Sequence, residues 1–292
     1  MNFKENTLNI FGNKGKQWLE ALPDIITDLA VQYGLSQLKP VSNLSFNYVL
    51  SGYQGAQPII LKLSLDKKSL LKEGQCLRAF SAHGAPDVLV CQQDLMMMVR
   101  AVPGTTLKQY FPNQESEAIR ILCRVIKKLH MAEIPKQHDF YCLSDVLKIL
   151  DNKNLDMPSH ILDKACGLRD KLLATADKEV LLHGDLHHEN ILKNHDADIA
   201  DDWLVIDPKG FIGDPAFECV SFIFNPIPEL LNHKNCKNMI QNRIKQCAEL
   251  LEISEQRIQD WFYVRLVLGW VWCLDDNLSP AYFKKLIKIV DA

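Results

Sequence analysis

Three residues in the middle of the chain, Asp185, Asn190 and Asp207, supply the groups that phosphoryl transfer needs. Moving a phosphoryl group asks little covalent chemistry of a protein. It asks for a carboxylate that accepts or orients the proton of an attacking alcohol, and for oxygen ligands to a Mg²⁺ that bridges the phosphates. Asp185 suits the first task, and Asn190 with Asp207 the second. Asp185 and Asn190 lie five positions apart on a predicted loop that follows the short apolar run Leu181-Leu182. The runs Ile191-Leu192 and Trp203-Leu204-Val205-Ile206 can pair as a hairpin, and such a hairpin returns Asp207 to the side of Asn190.

The stretch His183-Gly184-Asp185-Leu186-His187-His188-Glu189-Asn190 resembles the H-x-D-x-x-x-x-N catalytic loop of the kinase-like fold. Gly184 in place of arginine, with His187 beyond it, resembles the aminoglycoside phosphotransferase branch. Trp203-Leu-Val-Ile-Asp-Pro-Lys-Gly210 and Gly213-Asp-Pro-Ala-Phe-Glu218 are similar to the streptomycin 6-kinase and hydroxyurea kinase group. The resemblance runs across nearly the whole chain. It implies an α+β, protein-kinase-like two-lobed fold, with a small antiparallel-sheet N-terminal lobe over 1–100 and a larger, mainly helical C-terminal lobe over 101–292. It implies ATP and Mg²⁺ as cofactors, Asp185 as base and Asn190 and Asp207 as metal ligands, with a small-molecule acceptor such as streptomycin. It also places Asp214 and Glu218 where acids brace the catalytic loop by accepting its backbone N–H groups. As residues alone, the same two acids read as an N-cap and a first-turn acid around Pro215.

Other elements must position these groups. Gly15–Tyr33 has apolar residues at helical spacing and reads as one helix, or as two broken at Pro23. Short strand-like runs follow around Leu38–Val41, Tyr48–Leu50, Pro58–Leu63, Asp87–Cys91 and Leu95–Val99, with a hairpin turn over 51–56. Lys62, among Ile60, Leu61 and Leu63, either projects inward or lies on a solvent face; the resemblance implies that it meets phosphate oxygens, with Glu73 of the next helix as its holder. The phosphate-cradling loop falls at 42–47 and has no glycine, so contacts there rest on backbone amides or on Ser42, Asn43 and Ser45. The strand ending at Val99 runs into Arg100-Ala-Val-Pro-Gly104, a hinge whose backbone at Val99 and Ala101 can read adenine.

Around the loop, His183 is expected to bond neighbouring backbone, His187 to approach the transferring phosphate, and His188 to be exposed. A transition-metal site is disfavoured, because Gly184-Asp185 argues for a loop and not for a helical His pair. Met96, Met97 and Met98 read as core packing. From Thr105 the chain is predicted helical apart from the hairpin. A polycationic acceptor needs carboxylates, for which Asp275-Asp276 is the first candidate pair and Asp201-Asp202 the second.

A chain of 292 residues with 47% hydrophobic content can bury a large core, and its net charge of −3 leaves no basic footprint for nucleic acid or membrane. Nine cysteines without a CxxC pair point to reduced thiols and a cytoplasmic protein. The start of the sequence has no apolar core of a signal peptide. The apolar run Trp261–Leu274 is interrupted by Arg265 and reads as a buried helix too short to span a bilayer. Oligomeric state stays open. A protein kinase is disfavoured by the few residues between Asp207 and Gly213. The alternatives are a metabolic sugar or alcohol kinase of the same fold and a non-catalytic nucleotide-binding scaffold.

Overall fold

Period-two alternation gives the N-terminal sheet two faces with different tasks. The computed structural model describes residues 3–42, 44–195 and 203–291. Five antiparallel strands, β1 (Leu35–Pro40), β2 (Tyr48–Gln54), β3 (Gln57–Leu63), β4 (Val88–Cys91) and β5 (Leu95–Val99), stack in the order β1-β2-β3-β5-β4. Ile59, Leu61 and Leu63 of β3 join Met97 of β5 and Trp18, Leu22 and Ile26 of the leading helix, α1 (Phe3–Tyr33). The alternate positions Ile60 and Lys62, with their partners Met98 and Met96, turn to the opposite face. All three methionines are buried, the packing role their apolar run predicts.

Two details of this lobe depart from expectation. The helix begins at Phe3 and its break falls at Gly12 (φ 53°, ψ −129°), while Pro23 sits inside continuous helix. The reach of α1 beyond Gly15 comes from tertiary contact: Phe3 packs on Trp18 and Tyr48, and Asn6 donates to the Ser45 carbonyl at 2.9 Å. The β2–β3 turn is shorter than 51–56, because pairing continues to Gln54 opposite Gln57. Gly55 at φ 59° opens the remaining two-residue loop, a conformation that glycine takes without a Cβ penalty.

Asp66 caps α2 (Lys67–Phe80) by accepting the Ser69 N–H at 3.1 Å, and Leu70, Glu73, Leu77 and Phe80 form its buried stripe. The C-terminal lobe is built from α3 (Glu115–Leu129), the short α4 (Leu143–Val146), α5 (Ser159–Ala174), the short α6 (Val220–Ile223) and α7 (Glu229–Asn232), then α8 (Cys236–Leu251), α9 (Glu255–Asp275) and α10 (Ala281–Asp291). Helix α9 is the axis: it is buried on every side from Trp261 to Val271, which is why its sequence shows no apolar stripe. No helix among the described residues is long and apolar enough to cross a membrane.

Where α8 meets α3, Arg243 is fully buried and fully engaged. Its Nε and Nη2 fork onto Glu115 at 2.7 and 3.0 Å, and Nη1 donates to the carbonyls of Phe222, Ile223 and Asn225. Two small sheets face the N-terminal lobe: β6 (Tyr141–Cys142), β10 (Phe211–Gly213) and β7 (Val180–Leu182) in the order β6-β10-β7, and the hairpin of β8 (Ile191–Lys193) with β9 (Trp203–Val205).

Candidate active site

The hairpin does what its pattern implies. Ile191 pairs with Val205, and the Ile206 N–H donates to the Asn190 carbonyl at 3.1 Å, so Asp207 follows directly beside Asn190. Asn190 Nδ2 donates to the Asp185 carbonyl at 2.9 Å, which ties the two ends of the loop and commits the amide nitrogen, so the amide oxygen is the atom that could serve a cation. Asp207 sits at φ 59°, a left-handed conformation that Asp tolerates better than most residues.

His183 joins the loop to the hairpin. Its Nδ1 receives the Asp185 N–H at 3.3 Å, so the proton belongs on Nε2, which meets the Ile206 carbonyl at 2.8 Å. Burial keeps the ring below the ordinary histidine pKa, as this neutral tautomer requires. Next to it, Gly184 takes φ 80°, and a Cβ there would come within 2.7 Å of the Phe211 ring. Both constraints exclude a side chain at this position. Glu218 accepts the N–H groups of His183 and Gly184 at 2.7 and 3.0 Å. Burial would raise its carboxyl, but the His130 ring 3.5 Å away, the His183 ring and the Gly184 amide hold it below the usual range. Asp214 does not share this task. It accepts Ala216 N–H at 2.9 Å, Arg257 Nε at 2.7 Å and Trp261 Nε1 at 2.6 Å, and so anchors the turn to α9.

Lys62 projects into the cleft, not towards solvent. Its Nζ lies 2.8 Å from both Glu73 oxygens and 2.7 Å from Asp207 Oδ1. Burial pulls the ammonium's pKa down, yet the Asp207 and Glu73 charges outweigh it and keep Lys62 above the ordinary value. Burial pushes Glu73 up to about 7 against the pull of Lys62. The Lys62 ammonium holds the half-exposed Asp207 carboxylate down at about 2. Glu73 can come this close because Gly74 lets α2 settle on β4; a Cβ at 74 would collide with Cys91 Sγ.

Asp185 has two charged or titratable neighbours, one at each of its oxygens. Arg265 Nη2 lies 3.6 Å from its Oδ1, and His187 Nε2 lies 3.9 Å from its Oδ2. Burial would raise the Asp185 carboxyl, but His187 and Arg265 together hold it below the ordinary range. His187 therefore stands beside Asp185 and is not among the residues lining the cleft between the sheet and the hairpin. His188, expected at the surface, is fully buried: it stacks on Phe222 at 3.8 Å, with Phe111 edge-on at 6.5 Å. The loop turns inward there to close the core beneath it. Asp275 and Asp276 are exposed at the far end of α9, about 15 Å of helix beyond Arg265, and do not converge with Asp185. Asp201, Asp202 and Asn43 lie outside the described residues. Arg265 is the site neighbour that sequence reasoning passed over. Its signal was present: a charge in an otherwise apolar helix must find a partner.

Between the sheet and the hairpin lies a cleft of 530 Å³, walled by Val41, Val49 and Ile60 above and Leu192, Leu204 and Ile206 below. Lys62, Ser45, Val99, Ala101 and Asp207 also line it. Val99 spends its N–H on the Asp87 carbonyl at 2.9 Å, so a base meeting this residue finds its carbonyl. The connector is pinned from below, with Gly104 N–H to Lys193 at 2.9 Å and Lys193 N–H to Thr105 at 2.8 Å. Asn190 and Asp207 together offer oxygen donors only, a set suited to a hard divalent cation.

Residues 38–277 match the sequence profile of the aminoglycoside/hydroxyurea antibiotic resistance kinases. The streptomycin 6-kinase of Streptomyces glaucescens is 23% identical over 284 residues, covering 93% of this chain and 90% of that enzyme. The streptomycin 3''-kinase of Klebsiella pneumoniae is 30% identical over 183 residues, 62% of this chain and 65% of that one. Among solved structures, a thermostable mutant of aminoglycoside phosphotransferase APH(4)-Ia in ternary complex with AMP-PNP and hygromycin B superposes with a TM-score of 0.65 at 16% identity, covering 90% of this chain and 97% of that one. The fold is thus the kinase-like one, and this chain belongs to the aminoglycoside/hydroxyurea antibiotic resistance kinase family.

Proposed function

We infer that this chain transfers the γ-phosphoryl group of ATP to a hydroxyl of a small molecule, an aminoglycoside such as streptomycin, in a Mg²⁺-dependent reaction. One observation carries the reading: the Asn190 side chain is tied to the Asp185 backbone, the hairpin sets Asp207 beside Asn190, and Asp207 shares with Glu73 the Lys62 ammonium that lines the cleft. The acceptor class is supported by relatives whose names specify streptomycin at two different hydroxyls.

In this reading the lobe of residues 1–100 holds the nucleotide, and the lobe of 101–292 carries the chemistry and the acceptor. Adenine sits between the aliphatic walls with the Val99 and Ala101 backbone at its edge, Ser45 lies over the phosphates, and Lys62, steadied by Glu73, neutralises their oxygens. A Mg²⁺ held by Asn190 and Asp207 would offset the charge of the bridging phosphates. Asp185 orients the acceptor hydroxyl and takes its proton as the new O–P bond forms and ADP departs. His187 borders Asp185 on the side where the phosphoryl group arrives. A cytoplasmic location fits the need for ATP and the nine free thiols.

Asp185→Asn tests this. Mg²⁺-dependent ADP release with streptomycin should fall by about a thousandfold or more while ADP affinity stays unchanged, since only proton acceptance and orientation are lost. Equal ADP release by the variant and the parent protein would sink the assignment.

A further inference from the structure

Between Trp261 and Val271, the most deeply buried part of α9, Arg265 is the only charged residue, and it is 5% exposed. Its guanidinium lies between the rings of Phe224 and Trp272, with centroids at 5.0 and 4.8 Å. Among the described residues its Nε and Nη1 have no hydrogen-bond partner. A guanidinium at this depth has lost its hydration, and a structural arginine recovers that loss by spending its donors. Arg243 does so on a carboxylate fork and three carbonyls. Arg265 faces one carboxylate, Asp185, at 3.6 Å.

That distance matters chemically. It is too long for a hydrogen bond, yet at low polarity it carries strong charge attraction. Asp185 is thus held by a field, and both of its oxygens keep their lone pairs for an incoming hydroxyl. The flanking rings fix the guanidinium plane, so the cation cannot move forward and occupy the carboxylate. Phosphate oxygens arriving in front of Asp185 bring like charge, which a fixed cation behind it offsets.

We propose that Arg265 is a positioning residue that, from behind Asp185 and without hydrogen-bonding to it, fixes the direction of the carboxylate and offsets its repulsion with the phosphate. The inference rests on the reading of Asp185 as the base. Arg265→Met keeps the length and packing between the rings and removes the charge; Arg265→Lys keeps the charge.

Steady-state turnover with Mg-ATP and streptomycin, Kd for Mg-ADP and thermal midpoint are measured for both variants. The expected result is a loss of about thirtyfold in kcat for Arg265→Met, with KM for ATP and Kd for Mg-ADP within about threefold, and a partial return in Arg265→Lys. Unchanged kcat, or equal losses in both variants together with weaker Mg-ADP binding, overturns the proposal in favour of a packing role. If the parent protein itself shows no Asp185-dependent ADP release with streptomycin, it is the functional reading that fails. Crystal structures of the parent and Arg265→Met with Mg-ADP then decide the positioning role: a turned Asp185 carboxylate supports it, and an unmoved one overturns it.

Discussion

Two buried arginines of the same lobe, Arg243 on α8 and Arg265 on α9, are treated in opposite ways. Arg243 is surrounded by acceptors: a carboxylate fork on α3 and the carbonyls that end α6. Arg265 is clamped between rings, with one carboxylate just out of reach and two nitrogens unpartnered among the described residues. The histidines of the catalytic loop repeat the contrast. His183 has both ring nitrogens engaged, and among the described residues His188 has neither. Desolvation penalises all four side chains, so the difference lies in what repays it. Where partners are complete, the group holds elements together. Where they are incomplete, packing holds the group for another purpose, which for Arg265 is the neighbouring carboxylate.

This comparison can be broken at several points. The largest effect is expected from Arg243→Met, which leaves Glu115 and three carbonyls without their donor; stability should fall by about 3–5 kcal/mol in urea unfolding, with turnover per folded molecule unchanged. Adding Glu115→Leu should recover part of that loss, because the orphaned carboxylate goes with it. A large drop in turnover of the folded Arg243→Met protein would erase the distinction between the two arginines.

Lys62→Met probes the limit of the rule. Lys62 is fully engaged, with Glu73 and Asp207, yet it faces the cleft, where a phosphate competes for the same ammonium. Its loss should lower kcat/KM for ATP by about 10–100-fold, roughly 1.4–2.7 kcal/mol, in the ADP-release assay. An unchanged kcat/KM would assign Lys62 to architecture.

The smallest effect concerns His188. Burial, with Arg243 nearby, keeps its pKa well below the usual histidine value. The folded protein therefore leaves His188 neutral at pH values where the unfolded chain binds a proton. Stability from this source is complete above about pH 6.5 and declines below it, by about 1.4 kcal/mol per pH unit. In His188→Phe the thermal midpoint should lose less between pH 7.5 and 5.5 than in the parent protein. An identical loss would show that His188 is not the group whose protonation is penalised.

Much of this could be read along the chain because it is local. The β8–β9 hairpin brings Asn190 to Asp207 through nearest-neighbour pairing, and alternation on β3 turns Lys62 to the face opposite Leu61. What escaped was set by partners distant in sequence. The early start of α1 depends on Phe3 meeting Trp18 and Tyr48, and the burial of His188 depends on Phe222. Asp214 serves α9 through Arg257 and Trp261, more than forty positions away. Arg265 could only be noticed as an anomaly, since no spacing rule links α9 to the loop at Asp185. Asp275 and Asp276 are exposed at the end of α9, a position that depends on how that helix packs and not on the local sequence.

The bond from His183 to Ile206 also bears on how such an enzyme can diversify. It joins the loop that carries Asp185 and Asn190 to the strand that leads into Asp207, and Glu218 braces the same loop through the His183 and Gly184 amides. The Arg265 guanidinium beside Asp185 comes from another segment, α9. Selection can therefore rework such segments towards a new drug or a different hydroxyl while the reactive cassette is inherited unchanged, and a resistance phenotype can shift its target without rebuilding its chemistry.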